Sequence, residues 1–299
     1  MSEKLPVITT AAPLVRLPEK LPRIGLTLGG GGARGLAHIH VLEVLDELGV
    51  RPSFITGSSI GALLGAAYAS GLSAAYIRSL VEETLSARFD LITQLFTART
   101  PPLQKIFNVF PMRSALLDPA ALLELILPKQ MATTFEELQI PMRIVATDLS
   151  ARDVQVFAHG DLRQAIAASI AIPALFSPVV IDGRPMADGG IVDPLPYGVL
   201  PDDIDIVTAI DVSGGARNVV VGPRPSMVSV LTQSVLILQK TLIDERLQQT
   251  RPDIYIEVPL DDFGGLQFHK AKGILAAAEP IREEFRTKLL RVLTSHKVS

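Results

Sequence analysis

The sequence predicts an α/β fold, a three-layer α/β/α arrangement in which helices cover a mainly parallel central sheet. Two observations support this prediction. Short apolar runs of strand length alternate with helical patterns along most of the 299 residues, which is typical of a sheet covered by helices. The first two strands, predicted at 23–28 and 53–56, are joined by one helix, predicted at 36–48. Strands linked in this way form a βαβ unit and are therefore expected to be parallel.

The later elements are predicted from apolar periodicity and from the residues that end each run. Pro173 ends the helix that begins at 162, Asp182-Gly183 is a hairpin turn, and Pro280 starts or kinks part of the last helix. The predicted helices lie at 60–69, 73–87, 114–127, 162–171, 225–249 and 270–293. The predicted strands lie at 142–147, 154–157, 179–181, 185–187, 204–212 and 253–258.

Composition excludes several classes of function. The net charge of −3 gives no basic footprint for nucleic acid. The absence of cysteine excludes disulfides, thiolate metal sites and cysteine catalysis. No apolar run reaches the roughly 18 residues that span a bilayer. Residues 1–22 contain several prolines and no apolar signal core, so we expect an extended arm ahead of one domain over 23–299 and a cytoplasmic location.

The segment 88–113 is apolar and basic without a regular period. Between Leu91 and Arg113 its charges are Arg99, Lys105 and Arg113, with no acid. This composition fits a surface that makes peripheral contact with a membrane or covers a cleft. It equally fits an irregular part of the core that carries solvated charges. The sequence leaves both interpretations open.

A candidate nucleophile lies directly after the second predicted strand. Gly57-Ser58-Ser59-Ile60-Gly61 matches G-x-S-x-G, the turn that presents a serine hydroxyl between a strand and a helix. Residues without a Cβ are needed on both sides of such a sharp turn. The alternative is an ordinary Gly/Ser turn into a buried helix, since the motif alone has low specificity.

A glycine-rich loop follows the first predicted strand. Gly30, Gly32 and Gly35 have dinucleotide-loop spacing, but the next strand ends in the serine turn instead of an acid, and Leu36 stands where a phosphate loop has lysine. An oxyanion hole fits better, because successive glycine N–H groups converge on one point. Arg34 either adds positive charge there or is a structural arginine that binds loop carbonyls.

A serine nucleophile needs a proton acceptor. One candidate is His269, oriented by Asp188 in a Ser-His-Asp triad, although no turn or other marker surrounds this histidine. The other candidate is Asp188 itself, in the tight turn Asp188-Gly189-Gly190 after an apolar strand, where partial burial would raise its basicity. An ordinary turn aspartate is the structural alternative. Packing or exposure accounts for His38 and His40 in the first helix.

The three motifs together are similar to those of the patatin-like phospholipase family, in its bacterial branch. Gly30-Gly31-Gly32-x-Arg34-Gly35, Gly57-x-Ser59-x-Gly61 and Asp188-Gly189-Gly190 occur in the family's order, and the resemblance covers about 23–196. Supporting stretches are Ala146-Thr147-Asp148-Leu149 and the run from Ser169 to Phe176. Departures are small: Gly29 lengthens the glycine run, and Asp-Gly-Gly replaces the Asp-Gly-Ala of plant members.

The resemblance implies a patatin-like fold and a catalytic dyad, with Ser59 as nucleophile and Asp188 as general base. It also implies an oxyanion loop of Gly30, Gly31, Gly32 and Arg34, and a nucleophile elbow flanked by Gly57 and Gly61. The implied activity is hydrolysis of acyl esters of phospholipids or other lipids, of the phospholipase A or lysophospholipase type, without metal or cofactor.

Two other functions stay open on the sequence. One is a triad esterase that uses His269. The other is a catalytically weak, lipid-binding regulatory protein on the same fold, because fold does not fix function. Asp148 and Asp193 are interpreted as structural turn or strand-end carboxylates.

Overall fold

The computed structural model describes residues 21–85, 117–214 and 227–295. Eight strands within these ranges form one sheet in the order β5-β6-β3-β2-β1-β7-β8, with β4 also paired to β3. Strands β1, β2, β3, β7 and β8 are parallel to one another, whereas β4, β5 and β6 are antiparallel to their neighbours. The strands are β1 Ile24–Leu28, β2 Phe54–Ser58, β3 Met142–Asp148, β4 Asp153–Phe157, β5 Val179–Ile181, β6 Arg184–Asp188, β7 Ile206–Asp211 and β8 Ile254–Glu257.

The helices follow the predicted order, with shifts of a few residues at their ends. They are α1 His38–Leu48, α2 Ile60–Ala69, α3 Ala74–Leu80, α4 Pro119–Ile126, α5 Leu162–Ser169, α6 Met227–Gln249, α7 Ala271–Ala278 and α8 Ile281–Ser295. A short 3₁₀ helix, Gly32–Ala37, precedes α1, and a π-helical turn, Val81–Leu85, follows α3. The predicted helix at 270–293 is two helices that meet at Pro280, as expected of a residue with no N–H.

Helices pack on both faces of the sheet, so the fold has three layers. Strand β1 is fully buried and points Leu26 and Leu28 into the larger core, beneath helices α1, α2, α7 and α8. On the other face, a smaller cluster brings Ala209 of β7 together with Leu195 and with Ile243 of α6. The α/β/α prediction with a mainly parallel sheet is therefore confirmed.

Strand β3 brings two other strand ends together. Along one edge of β3, the pairing with β2 ends at Ser58, which lies opposite Val145. On the same edge, the pairing with β6 begins one residue later, where Asp188 lies opposite Ala146. Strand β4 pairs along 144–148, so β2 and β6 must share the other edge. The carboxyl ends of β2 and β6 therefore meet end to end beside β3. This junction positions the candidate site.

Two predicted features lie wholly or largely outside the described residues. These are the N-terminal arm, 1–22, of which 1–20 is outside, and the apolar and basic segment 88–113. The boundaries of a single domain over 23–299 stay a prediction. Within the described ranges, no helix has both the length and the apolar character of a membrane-spanning segment.

Candidate active site

Ser59 lies at the turn between β2 and α2, in a strained backbone conformation. Its φ of 54° and ψ of −124° place a non-glycine residue in a region that costs roughly 1–3 kcal/mol. The flanking glycines make this turn sterically possible. A Cβ at Gly61 would lie 2.0 Å from the carbonyl oxygen of Leu28, and one at Gly57 would lie 2.7 Å from the amide nitrogen of Ala62. The sequence prediction of a tight strand-to-helix turn thus has a direct steric basis.

The hydroxyl of Ser59 donates directly to Asp188. The Ser59 Oγ and Asp188 Oδ2 atoms are 2.6 Å apart, and both side chains are buried. The contact follows from the strand junction, because Asp188 ends β6 where β2 ends at Ser58. The other carboxylate oxygen, Oδ1, accepts from Gly190 N–H at 2.8 Å.

Burial controls the protonation of Asp188. Desolvation raises its pKa to about 6, while the hydrogen bonds from Ser59 and Gly190 oppose this rise. Its backbone is also held at both ends: its N–H donates to Ala171 O at 3.0 Å, and Thr147 Oγ1 donates to its carbonyl oxygen at 2.7 Å. A carboxylate with this pKa is ionised at neutral pH and remains basic enough to accept a proton.

The backbone N–H of Ser59 is occupied. It donates to Ser169 Oγ at 2.8 Å, and that hydroxyl donates onward to Val145 O at 2.7 Å. Ser169 therefore ties the nucleophile turn to β3 and leaves Ser59 N–H unavailable to a substrate oxygen. A donor to a substrate oxygen would therefore have to be an amide other than that of Ser59.

The glycine loop after β1 contains two candidate donors. Gly30 is one of the three glycines predicted for the oxyanion loop. Its N–H already donates to Pro194 O at 2.8 Å. A Cβ there would lie 3.4 Å from the Cβ of Ser59, which makes Gly30 a close-approach position. The amides of Gly31 and Gly32 have no hydrogen-bond partner within the described part of the chain, and both residues line a cavity at Ser59.

Arg34 contacts a carbonyl of this loop. It is buried, and its Nε donates to Gly31 O at 3.4 Å. Because a trans peptide directs its C=O and N–H to opposite sides, Gly32 N–H points away from Arg34. Burial lowers the pKa of Arg34 to about 10, opposed by Asp211 and Asp261. The contact with Gly31 O is of the kind expected of a structural arginine, and a part for Arg34 in the oxyanion loop stays a prediction.

None of the three histidines considered as partners hydrogen-bonds Ser59 or Asp188. His38 Nε2 contacts Gly29 O at 2.9 Å, and burial lowers the pKa of His38 to about 4, so it is neutral. His40 Nε2 contacts Leu275 O at 2.8 Å. His269 lies exposed in a short 3₁₀ turn, Phe268–Lys270.

Two cavities open at Ser59, and they differ in character. The first is apolar and extends under α2, α4 and the loop after α5. Its side-chain lining includes Leu63, Leu122, Ile126, Ile170, Leu175 and Phe176. The second is more polar and includes Gly31, Gly32, Asp188 and Gln239. Within the described ranges, no group of three or more His, Cys, Asp or Glu side chains is arranged to hold a metal ion.

The family follows from a comparison with known proteins. A family model described as patatin-like phospholipase matches residues 26–201, more than half of the chain. The chain belongs to the patatin-like phospholipase family. The matched range contains the glycine loop, Ser59 and Asp188, so the patatin-like segment and the site described above coincide.

This patatin-like chain is similar to parts of longer proteins. An uncharacterized NTE family protein of Mycobacterium tuberculosis is 37% identical over 197 residues, covering 64% of this chain and 50% of the relative. Lysophospholipase NTE1 of Coccidioides immitis is 25% identical over 314 residues, covering 95% of this chain and 19% of the relative. VipD from Legionella pneumophila aligns with a TM-score of 0.47 and 14% identity, covering 91% and 67%. The match spans about half of the mycobacterial relative and less of the fungal one.

Four residues around this patatin-like site carried no assigned role in the sequence analysis. They are Ser169, Thr147, Pro194 and Gln239. Ser169 and Thr147 fall in stretches that match the family, which was an available signal. Pro194 contacts the site only through its backbone carbonyl oxygen, which every residue type has. Gln239 lies on a helix far along the chain from the motifs. Neither residue therefore gives a local sequence signal.

The two carboxylates interpreted as structural have structural partners. Asp148 Oδ1 accepts from the amides of Ser150 and Ala151, and Oδ2 pairs with Arg184 at 2.7 Å. Asp193 Oδ1 pairs with Arg246 at 2.5 Å.

Proposed function

We propose that the protein is a lipid acyl hydrolase of the phospholipase A or lysophospholipase type, acting through a Ser59–Asp188 dyad. The observation that carries this proposal is the 2.6 Å hydrogen bond from Ser59 Oγ to Asp188 Oδ2, beside the amides of Gly31 and Gly32, which have no partner in the described part of the chain. Membership of the family supports a lipid ester as substrate. The apolar cavity at Ser59 supports it too, because a fatty-acyl chain needs a water-excluding path.

The reaction has two halves. Asp188 removes the proton from Ser59 Oγ as that oxygen attacks the ester carbonyl, and Gly31 and Gly32 N–H groups stabilise the oxyanion. Asp188 returns the proton to the leaving alcohol, which leaves an acyl-enzyme on Ser59. Water then attacks the acyl carbon, Asp188 takes its proton and passes it to Ser59 Oγ, and the fatty acid departs. The strained turn holds the serine in place throughout.

The dyad is preferred to a triad through His269. No histidine stands between Ser59 and Asp188, since their side chains bond directly. His269 is exposed in the short 3₁₀ turn Phe268–Lys270, whereas Ser59 and Asp188 are buried. The Coccidioides relative is named a lysophospholipase, which supports including monoacyl lipids among the substrates. Membrane contact through 88–113 remains a prediction about residues outside the described ranges.

The deciding experiment is covalent labelling with a fluorophosphonate, read by intact mass and peptide mapping. We expect one adduct on Ser59 in the wild type and in His269→Ala. We expect none in Ser59→Ala and a loss of labelling rate of at least about 100-fold in Asp188→Asn, the scale of general-base catalysis. Ser53→Ala, at the opposite end of the same strand segment, is the matched control and should label normally.

Unlabelled samples of the same proteins are tested on lipid in parallel. Wild type should release fatty acid from phospholipid vesicles or lysophospholipid micelles, and Ser59→Ala should not. A folded wild type that neither labels nor releases fatty acid would contradict the hydrolase proposal and favour the lipid-binding alternative. Loss of labelling in His269→Ala would favour the triad.

A further inference from the structure

Gln239 is a buried polar side chain that the mechanism above does not use. It lies on α6, which crosses the opposite face of the sheet from α2, and it is 4% exposed. Its Oε1 atom is buried and has no hydrogen-bond partner among the described residues. A buried polar group without a partner costs roughly 1–3 kcal/mol. An apolar side chain of similar size would therefore make the protein more stable at this position.

The carboxamide of Gln239 faces the same space as the carboxylate of Asp188. A Cβ at Gly190 would lie 2.2 Å from Gln239 Nε2 and 3.0 Å from Asp188 Oδ1, so both side chains flank one point. Both also line the polar cavity at Ser59, together with Gly31 and Gly32. The absence of a side chain at Gly190 is what allows them to approach each other.

The cavity has room for a small neutral molecule such as water, and its polar groups lie opposite apolar side chains that include Ile172, Val235 and Leu236. Its volume is about 30 Å³, and a site needs roughly 10–15 Å³ and two to four polar partners to hold a water. Asp188 is the one ionisable group among the described residues that line it. A carboxamide offers both an acceptor and donors without adding charge, whereas a second carboxylate would raise the pKa of Asp188 further.

Deacylation needs a water beside Asp188. The apolar cavity, whose lining does not include Asp188, is the better environment for the acyl chain next to the ester carbon. The second cavity has room for a water at Asp188, which can enter once the leaving alcohol has gone. An attacking water has two protons: Asp188 takes one and the other stays on the oxygen, so a further polar group has to fix the direction of attack.

We propose that the carboxamide of Gln239 holds the hydrolytic water for deacylation. The water oxygen bonds to the acyl carbon, one of its protons passes to Asp188 and then to Ser59 Oγ, and the bond from that oxygen to the acyl carbon breaks. The water's other proton stays on the fatty acid. The inference rests on the proposed acyl-enzyme mechanism and assigns one step of it to a residue from α6.

The test is a Gln239→Met variant of the full chain, followed on a p-nitrophenyl acyl ester by rapid mixing. Methionine keeps the length of the side chain and removes both hydrogen-bonding ends. We expect kcat and KM to fall together, by about tenfold or more, while kcat/KM, which reports acylation, stays within about twofold. The burst of p-nitrophenolate should remain, and the acyl adduct on Ser59 should accumulate in the intact mass spectrum.

Two further measurements separate this role from a structural one. Hydroxylamine, which supplies its own nucleophile, should restore much of the lost turnover. The melting temperature of Gln239→Met should be unchanged or higher, because an unpartnered buried carboxamide has been removed. Gln248→Met, at an exposed position on the same helix, is the matched control and should match wild type in every readout.

Other outcomes overturn the inference. If kcat/KM falls in parallel with kcat and no adduct accumulates, Gln239 acts in binding or acylation. If no kinetic constant moves, it has no role in the reaction. Failure of the proposed function looks different, because wild type would then form no adduct on Ser59 with either the ester or a fluorophosphonate.

Discussion

At the scale of single residues, Asp188 combines two properties that usually oppose each other. It is buried, which raises its pKa to about 6, and it accepts hydrogen bonds from Ser59 and Gly190, which keep the ionised form accessible. A fully solvated aspartate would be too weak a base for a serine hydroxyl. Without these hydrogen bonds, burial alone would favour the neutral acid at neutral pH.

This balance predicts the acid limb of the pH profile. The base must be ionised, so kcat/KM should fall about tenfold per pH unit below about pH 6, as Asp188 becomes protonated. The measurement is kcat/KM for a soluble ester between pH 4 and pH 9. His269→Ala is the control and should leave the limb in place. A limb near the ordinary aspartate pKa would mean that Asp188 is solvated in the free enzyme.

At the scale of elements, the site is a junction of strand ends. Strand β3 receives β2 and β6 along one edge, and the tight turn into α2 then presents Ser59 to Asp188. The turn is possible because α2 packs its first residues against the end of β1. Gly61 approaches the carbonyl oxygen of Leu28 so closely that no side chain fits.

We therefore expect Gly61→Ala to lose both stability and activity. The new Cβ meets backbone atoms of Leu28 and Gly29, which cannot rotate away, so α2 or the glycine loop must shift. Overpacking of this kind costs roughly 1–3 kcal/mol or more. Urea unfolding and fluorophosphonate labelling would measure the two effects. Gly198→Ala, whose Cβ would have no neighbour nearer than 3.9 Å, is the control. Near-normal labelling of Gly61→Ala would contradict this account of the turn.

At the scale of the whole molecule, α6 is connected to the glycine loop through a short segment after β6. Arg246 of α6 pairs with the buried carboxylate of Asp193. The next residue, Pro194, accepts the N–H of Gly30. The ion pair thus connects the helix layer on one face to the candidate oxyanion loop at the end of β1.

Breaking this pair should be harmful in a pH-dependent way. Burial raises the pKa of Asp193 and Arg246 lowers it, so Arg246→Met leaves an unpaired buried carboxylate. Arg246 is partly exposed, which limits the cost to about 1–3 kcal/mol. The loss in unfolding free energy should be larger at pH 8 than at pH 5, because protonation of Asp193 relieves it. Denaturant titrations at both pH values measure this difference.

The double variant Asp193→Asn with Arg246→Met provides the control for that experiment. The double variant should recover part of the unfolding free energy. Its loss relative to wild type should be the same at pH 5 and pH 8, because no charge is left buried. Equal losses at pH 5 and pH 8 in the single variant would show that Arg246 acts through packing on Tyr197, whose ring centroid lies 5.8 Å from its guanidinium carbon.

Much of the local structure could be predicted from the sequence, because local signals specify it. The hairpin at Asp182-Gly183 is one case: both residues have positive φ in the structure, as the dipeptide indicates. The turn at Ser59 is another, since only glycine fits on either side. The element ends were less accurate. The predicted strand at 53–56 extends to Ser58, because its pairing with β3 continues the strand into the motif.

The sequence by itself determined the α/β class and the family resemblance, and it picked out Ser59, Asp188 and the glycine loop as the candidate site. These depend on residue types at short spacings, where sterics and turn chemistry act locally. Tertiary structure alone decided which donors are unoccupied and which partners are buried. The N–H of Gly30 donates to Pro194 O, the N–H of Ser59 donates to Ser169 Oγ, and Gln239 of α6 lines the cavity at Ser59. Such contacts join residues far apart in the chain, and only the packing of the sheet and its helices brings them within hydrogen-bond range.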